Sequence, residues 1–206
     1  MDRRGFLSAF SLAGVSVLIG AASAAPSNGV DIHAILDDPD APVGGNPHGD
    51  VTIVAFVDYN CPFCKRSDPD LQKLAASDGE IRLVYKDWPI LARSSIYGAR
   101  LALAAKYQGK YEAAHAALMA LRGRGSESEM RAAVAAAGVE TTLLDKDLGA
   151  HERAIMALIR RNGAQAEALR LKGTPVYLVG PYIVAAALNY DGFAGLVSRF
   201  RAQIGK

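Results

Sequence analysis

Two cysteines, Cys61 and Cys64, sit three positions apart at a seam between an apolar run and a helical pattern, and the chain has no others. That seam limits the possible folds more than any other feature. "VTIVAFV", residues 51–57, is a continuous, largely apolar run rich in β-branched residues. This is the pattern of a strand buried on both faces. Residues 62–76 follow with Leu71, Leu74 and Ala75 on one side, which is helical spacing. The cysteines therefore fall where a buried strand ends and a helix begins.

The rest of the chain extends this alternation. "IRLVYK" (81–86) reads as a second strand. From Ser94 to Leu171 the pattern changes to Ala-rich spacing at three and four. Four helical stretches are expected there, 94–108, 110–121, 126–138 and 144–171. Ser126 with Glu129 predicts a capping box. "GTPVYLVG" (173–180) returns to strand, and "YIVAAAL" (182–188) is its expected partner. Residues 191–204 close as an amphipathic helix with Phe193, Leu196, Val197 and Phe200 on one face. The order β, α, β, helical block, β, β, α predicts one α/β domain over 51–205, with a helical insertion over about 94–171. A chain of 206 residues, half of them hydrophobic, is long enough for one such core.

The first 25 residues stand apart. "MDRRGFLSAF" opens with paired Arg3 and Arg4, an apolar stretch follows, and Ala22-Ser23-Ala24 offers a cleavage site. Residues 1–24 read as a secretory signal peptide, with an "RRGFL" order similar to the twin-arginine type. An uncleaved anchor is the alternative. Either way the domain is expected in an oxidising, extracytoplasmic space such as the periplasm. Residues 25–50, rich in Gly, Pro, Asn and Asp, read as an extended leader with one helical turn near Ile32–Leu36. The formal net charge is only +2, and the sequence shows no basic stripe, so no nucleic-acid partner is expected.

A structural disulfide, half a zinc site and a redox centre could each explain the cysteines. Zinc needs about four ligands, and no second cysteine pair exists. His33, His48, His115 and His151 show no paired ligand spacing, so no metal is expected and no cofactor is called for. A disulfide spanning two residues constrains little of the unfolded chain and stabilises little. The redox reading has a physical basis. Cys61 precedes the helix, and Pro62 occupies the first turn, where a missing N–H costs nothing. The free N–H groups of that turn favour a thiolate on Cys61. Lys65 and Arg66 add positive charge nearby. Cys64 lies one turn on, more buried, and suits the role of resolving thiol.

"VTIVAFVDYNCPFCKRSDP", "KDWPIL", "GARLALAAKYQGKYEAAHAALM" and "GTPVYLVG" resemble, in this order, successive parts of the DsbA-like thiol–disulfide oxidoreductases of the thioredoxin superfamily. The similarity covers about residues 31–205. It implies a thioredoxin fold with an inserted helical subdomain. It implies that Cys61 is the nucleophile, Cys64 its partner, Pro62 and Phe63 the active-site turn, and Pro69 a helix-kink proline. It implies a cis bond at Pro175 and a peptide groove lined by Thr174. Many members carry a buried acid six residues before the first cysteine, where this chain has Ala55. Asp58 is nearer but is read as a solvated turn residue. Lys86 and Asp87 are read as a surface pair at a strand end. Tyr59, Phe63 and Trp88 are candidates for an apolar landing area, with Trp88 equally suited to the core.

The expected function is dithiol oxidation of cysteine-containing exported proteins, with a membrane redox partner restoring the disulfide. A disulfide isomerase or reductase is the alternative. A binding or chaperone module with incidental cysteines is a third reading. Residues 25–50 are too short and too broken for a coiled coil, so a monomer is expected.

Overall fold

The computed structural model describes residues 30–206. The secretory leader read on residues 1–24 lies outside them. The elements run α1 (Ile32–Leu36), β1 (Val43–Gly45), β2 (Val51–Val57), α2 (Pro62–Asp78), β3 (Ile81–Asp87) and α3 (Arg93–Ala105). A 3-10 turn (Lys106–Gln108) leads to α4 (Tyr111–Ala120), α5 (Glu127–Ala136), α6 (Thr141–Ala150) and α7 (Glu152–Ala168). The chain closes with β4 (Val176–Val179), β5 (Tyr182–Val184) and α8 (Tyr190–Gln203).

The five strands form one sheet in the order β1-β3-β2-β4-β5. β2 runs parallel to β3 and antiparallel to β4. The unbroken apolar run of β2 is explained by its place at the centre. Ile53, Ala55 and Val57 face a core shared with α2, the inserted helices and α8. Val54 and Phe56 face a second core, with Ile35 of α1, Trp88 and Ala166 of α7. The result is a mixed sheet with helices on both faces, as the α/β pattern predicts, in the thioredoxin-like arrangement that the resemblance implies.

Two local features differ from the sequence reading. The segment read as an extended leader carries the edge strand β1 as well as the expected turn α1. Val43 lies opposite Val84 in an antiparallel ladder. The pairing escapes a pattern reading because β1 is Val-Gly-Gly. Gly45 has a left-handed φ of 63°, and a side chain there would meet the Ile81 carbonyl. The last helical stretch, read as one, is two helices that break at His151. There the backbone leaves the helical region, with φ −111° and ψ 10°. The corner is held from outside: His151 stacks on Tyr107 at 3.6 Å, and Glu152 pairs with Arg100 at 2.6 Å. The Ser126–Glu129 capping box forms as expected.

Candidate active site

Cys61 is the N-cap of α2, and its sulfur accepts the Cys64 N–H at 3.4 Å. Pro62 follows at the first helical position, so the helix can begin at once without losing a hydrogen bond. Pro69 lies inside the same helix. Both cysteines are free thiols; Cys61 is 2% exposed and Cys64 is fully buried. The sheet brings in the other wall. Phe56 of β2 lies opposite Val176 of β4, so the residues preceding β4 rise beside the turn that follows β2. The Thr174–Pro175 peptide is cis, and the Cys61 thiol donates to the Thr174 carbonyl at 3.1 Å. Phe63, half exposed, covers the outside of the turn.

The two sulfurs sit in opposite electrostatic conditions. The Cys64 thiol beside it is the main reason that Cys61 is lowered to about 6; burial opposes this. The Thr174 side chain and the N–H groups of Cys64 and Phe63 add to the lowering. The Thr174 hydroxyl is buried and has no other hydrogen-bond partner, which leaves it available to a thiolate. A group with a pKa of about 6 is about nine-tenths ionised at pH 7. Cys64 goes the other way. Burial pushes its thiol far up, and the adjacent Cys61 adds to the rise. One sulfur is thus a thiolate at neutral pH, and the other keeps its proton.

The turn is braced by Asn60, which the sequence did not single out, and by Lys65, which was read as a charge beside the thiolate. Asn60 is buried and donates from Nδ2 to the Ser94 and Ser95 hydroxyls at 2.9 and 3.0 Å. Its Oδ1 accepts the Gly125 N–H at 2.9 Å. The Lys65 ammonium donates to the Leu121 and Gly123 carbonyls, both at 2.7 Å. Loss of water lowers the Lys65 pKa. The loop 121–125 of the insertion is therefore clamped from both sides of the cysteine pair. Only the polar Asn60 beside the cysteine hinted at this; nothing local marks Gly125 as its partner.

Asp58 is a correction. It is buried rather than solvated, and its carboxylate accepts N–H bonds from Asn60, Ile90 and Leu91 at 2.7, 2.8 and 2.9 Å. Three backbone donors offset the cost of burying it. Lys86 and Asp87 are not a surface pair either. Lys86 is 0% exposed and pairs with Asp38 at 3.0 Å. Asp87 points to the other face of the sheet, accepts the Tyr111 hydroxyl at 3.1 Å, and is pushed up to about 6 by burial. From there a polar chain runs through Tyr59 and His115 to Asp68 on α2. Tyr59 belongs to this buried chain, and Trp88 packs edge-on against Phe56 in the core. Of the three aromatics considered for a landing area, Phe63 alone is exposed. Ala55 is buried at the centre of the sheet and brings no acid to the cysteines.

Comparison with known proteins agrees with this fold. The family model described as Thioredoxin matches residues 37–199. A thioredoxin-like oxidoreductase from Silicibacter pomeroyi DSS-3 is 41% identical, with a TM-score of 0.77 over 82% of this chain and 97% of that one. A periplasmic thioredoxin-like protein from Salmonella enterica serovar Typhimurium is 31% identical, with a TM-score of 0.74 over 83% and 96%. The thiol-disulfide exchange protein alpha-DsbA2 from Wolbachia pipientis is 25% identical, with a TM-score of 0.77 over 81% and 90%. Curated relatives include the Na(+)/H(+) antiporter NhaA 1 of Mycobacterium sp. (strain KMS), 26% identical over 156 residues. That match covers 71% of this chain but only 25% of the antiporter. Among the described residues, no helix is long and apolar enough to cross a membrane.

Proposed function

This chain belongs to the thioredoxin family, as a thiol–disulfide oxidoreductase of the DsbA-like kind, and we propose that it donates disulfides to exported proteins in the periplasm. The observation that carries this reading is the asymmetry of the two sulfurs. A thiolate with a pKa of about 6 stabilises the reduced protein, so the oxidised protein readily gives its disulfide away.

The exchange takes two steps. A substrate thiolate attacks Cys61 Sγ of the Cys61–Cys64 disulfide. The S–S bond breaks, and Cys64 leaves and takes up a proton, which its buried setting favours. A second substrate thiolate then attacks the substrate sulfur of the mixed disulfide and expels Cys61. A low pKa makes Cys61 the better leaving group, which favours release of oxidised substrate. Two electrons pass from substrate to protein. Of the two substrate protons, one resides on Cys64 and one goes to solvent. Thr174 and Pro175 hold the substrate backbone beside Cys61, and Phe63 gives it an apolar support. A membrane redox partner restores the disulfide, and the protein works as a monomer.

Mixing the oxidised protein with a reduced, unfolded disulfide protein tests this. Stoichiometric oxidation of the substrate is expected, with loss of all exchange in Cys61→Ser. Rapid repair of a scrambled substrate, with little net oxidation, would instead make the chain an isomerase.

A further inference from the structure

We propose that the groove around Cys61 is shaped to receive substrate segments carrying acidic residues beside the reacting cysteine. The inference rests on the disulfide-donor reading and assigns its substrate class.

Three neighbouring hollows surround the active-site turn. One lies between α2 and α4, one beside Thr174 and Pro175, and one directly over Cys61. Their walls carry Arg122, Arg66 with Lys172, and Arg124 respectively. The single acid in these walls is Asp68, which is buried and bonded to His115 and Gln72. Composition does not predict such an excess, since the chain has 23 Lys and Arg against 21 Asp and Glu. Among the described residues, none of Arg66, Arg122, Arg124 and Lys172 is in an ion pair. All four are exposed. The nearest acids on the insertion side, Glu127 and Glu129, line none of the three hollows, and Glu129 is held in the α5 capping box.

Arg66 and the loop that carries Arg122 and Arg124 are held in place. The Arg66 guanidinium lies 4.9 Å over the Phe63 ring. Arg122 and Arg124 flank Gly123, whose left-handed φ of 62° turns the loop. That loop is the one fixed by Asn60 and Lys65. A polypeptide lying across Cys61 meets Arg66 and Lys172 on one side and Arg122 and Arg124 on the other. Apolar support between them comes from Phe63 and Leu91. Fixed positive charge around a cleft raises the encounter rate with negative partners by about 10–1,000-fold.

The test uses three peptides with the same two cysteines, flanked by Asp and Glu, by Ser, or by Lys. Oxidation by the full-length oxidised chain is followed, and each rate is divided by that peptide's rate with uncharged hydroxyethyl disulfide. The acidic peptide is expected to exceed the lysine peptide by about tenfold at low salt. The ratio is expected to shrink to about twofold in 0.5 M salt, where charges more than a few ångströms apart are screened. Joint Arg122→Glu and Arg124→Glu is expected to reverse the order, a gain that a misfolded variant could not produce. Equal rates with all three peptides overturn the inference if the wild-type chain still exchanges with dithiothreitol. Failure to exchange even with dithiothreitol overturns the oxidoreductase reading beneath it. Equal peptide rates together with binding to phosphatidylglycerol vesicles would assign the cations to a membrane surface and also overturn it.

Discussion

The two walls of the groove reach Cys61 by different physical routes. The Thr174–Pro175 wall follows from sheet register: β4 pairs with β2 along its length, so residues before Val176 must lie beside those after Val57. The wall at 121–125 has no such ladder. Side chains of Asn60 and Lys65 hold it through three hydrogen bonds: Asn60 Oδ1 accepts the Gly125 N–H, and Lys65 Nζ donates to the carbonyls of Leu121 and Gly123. The first wall is rigid and adjoins the sulfur chemistry. The second is held by side-chain hydrogen bonds and carries Arg122 and Arg124. Catalytic and recognition properties can thus be changed separately on one scaffold.

The largest expected effect is at Asn60. Asn60→Ala leaves the Gly125 N–H and the buried Ser95 hydroxyl without their partner. Each unsatisfied buried group costs about 1–3 kcal/mol, so a loss of about 3 kcal/mol is expected in denaturant unfolding. Faster amide exchange at Gly125 should accompany it. An unchanged midpoint would mean that the insertion wall is not fastened through Asn60. Lys65→Met removes two bonds at a partly exposed site. About 1 kcal/mol is expected, with a smaller acidic-peptide preference but retained exchange with dithiothreitol.

The rigid wall answers to a different measurement. Thr174→Val removes a hydroxyl that favours the Cys61 thiolate, so the midpoint of Cys61 alkylation against pH should rise above about 6 with little change in stability. The sign of the related pH effect is fixed. The folded pKa of Cys61 lies below the ordinary thiol value of about 8.5. Its contribution to the stability of the reduced protein is therefore full above about pH 8.5 and is lost as pH falls through about 6. The difference in stability between the reduced wild type and Cys61→Ser should widen with pH across that window.

The rigid wall was also the legible one. A seven-residue run with six apolar residues, a Cys-Pro-Phe-Cys turn and a Gly-Thr-Pro strand entry are local signals, and the sheet converts them directly into position. Asp58, Lys86 and Asp87 were misread because a charged residue at a strand end normally faces water. Each is buried here by partners far along the chain: Ile90 for Asp58, Asp38 for Lys86 and Tyr111 for Asp87, 32, 48 and 24 residues away. The same is true of Lys65, read as a charge beside the thiolate and found as a clamp 56 residues from its first carbonyl. Local pattern reveals the elements; long-range polar pairing decides which charges they can bury.

The most direct test of the central claim is the equilibrium reduction potential of the Cys61–Cys64 pair in glutathione buffers at pH 7. Ionisation of Cys61 at about 6 stabilises the reduced state by at most about 1.4 kcal/mol over an ordinary thiol, or about 30 mV, less whatever solvent screens. The hydrogen bonds to the Cys61 sulfur are already contained in that figure. The account predicts a value between about −180 and about −120 mV, the range of disulfide donors and isomerases rather than reductases. A value near about −270 mV would contradict it and make the chain a reductase in need of an electron supply.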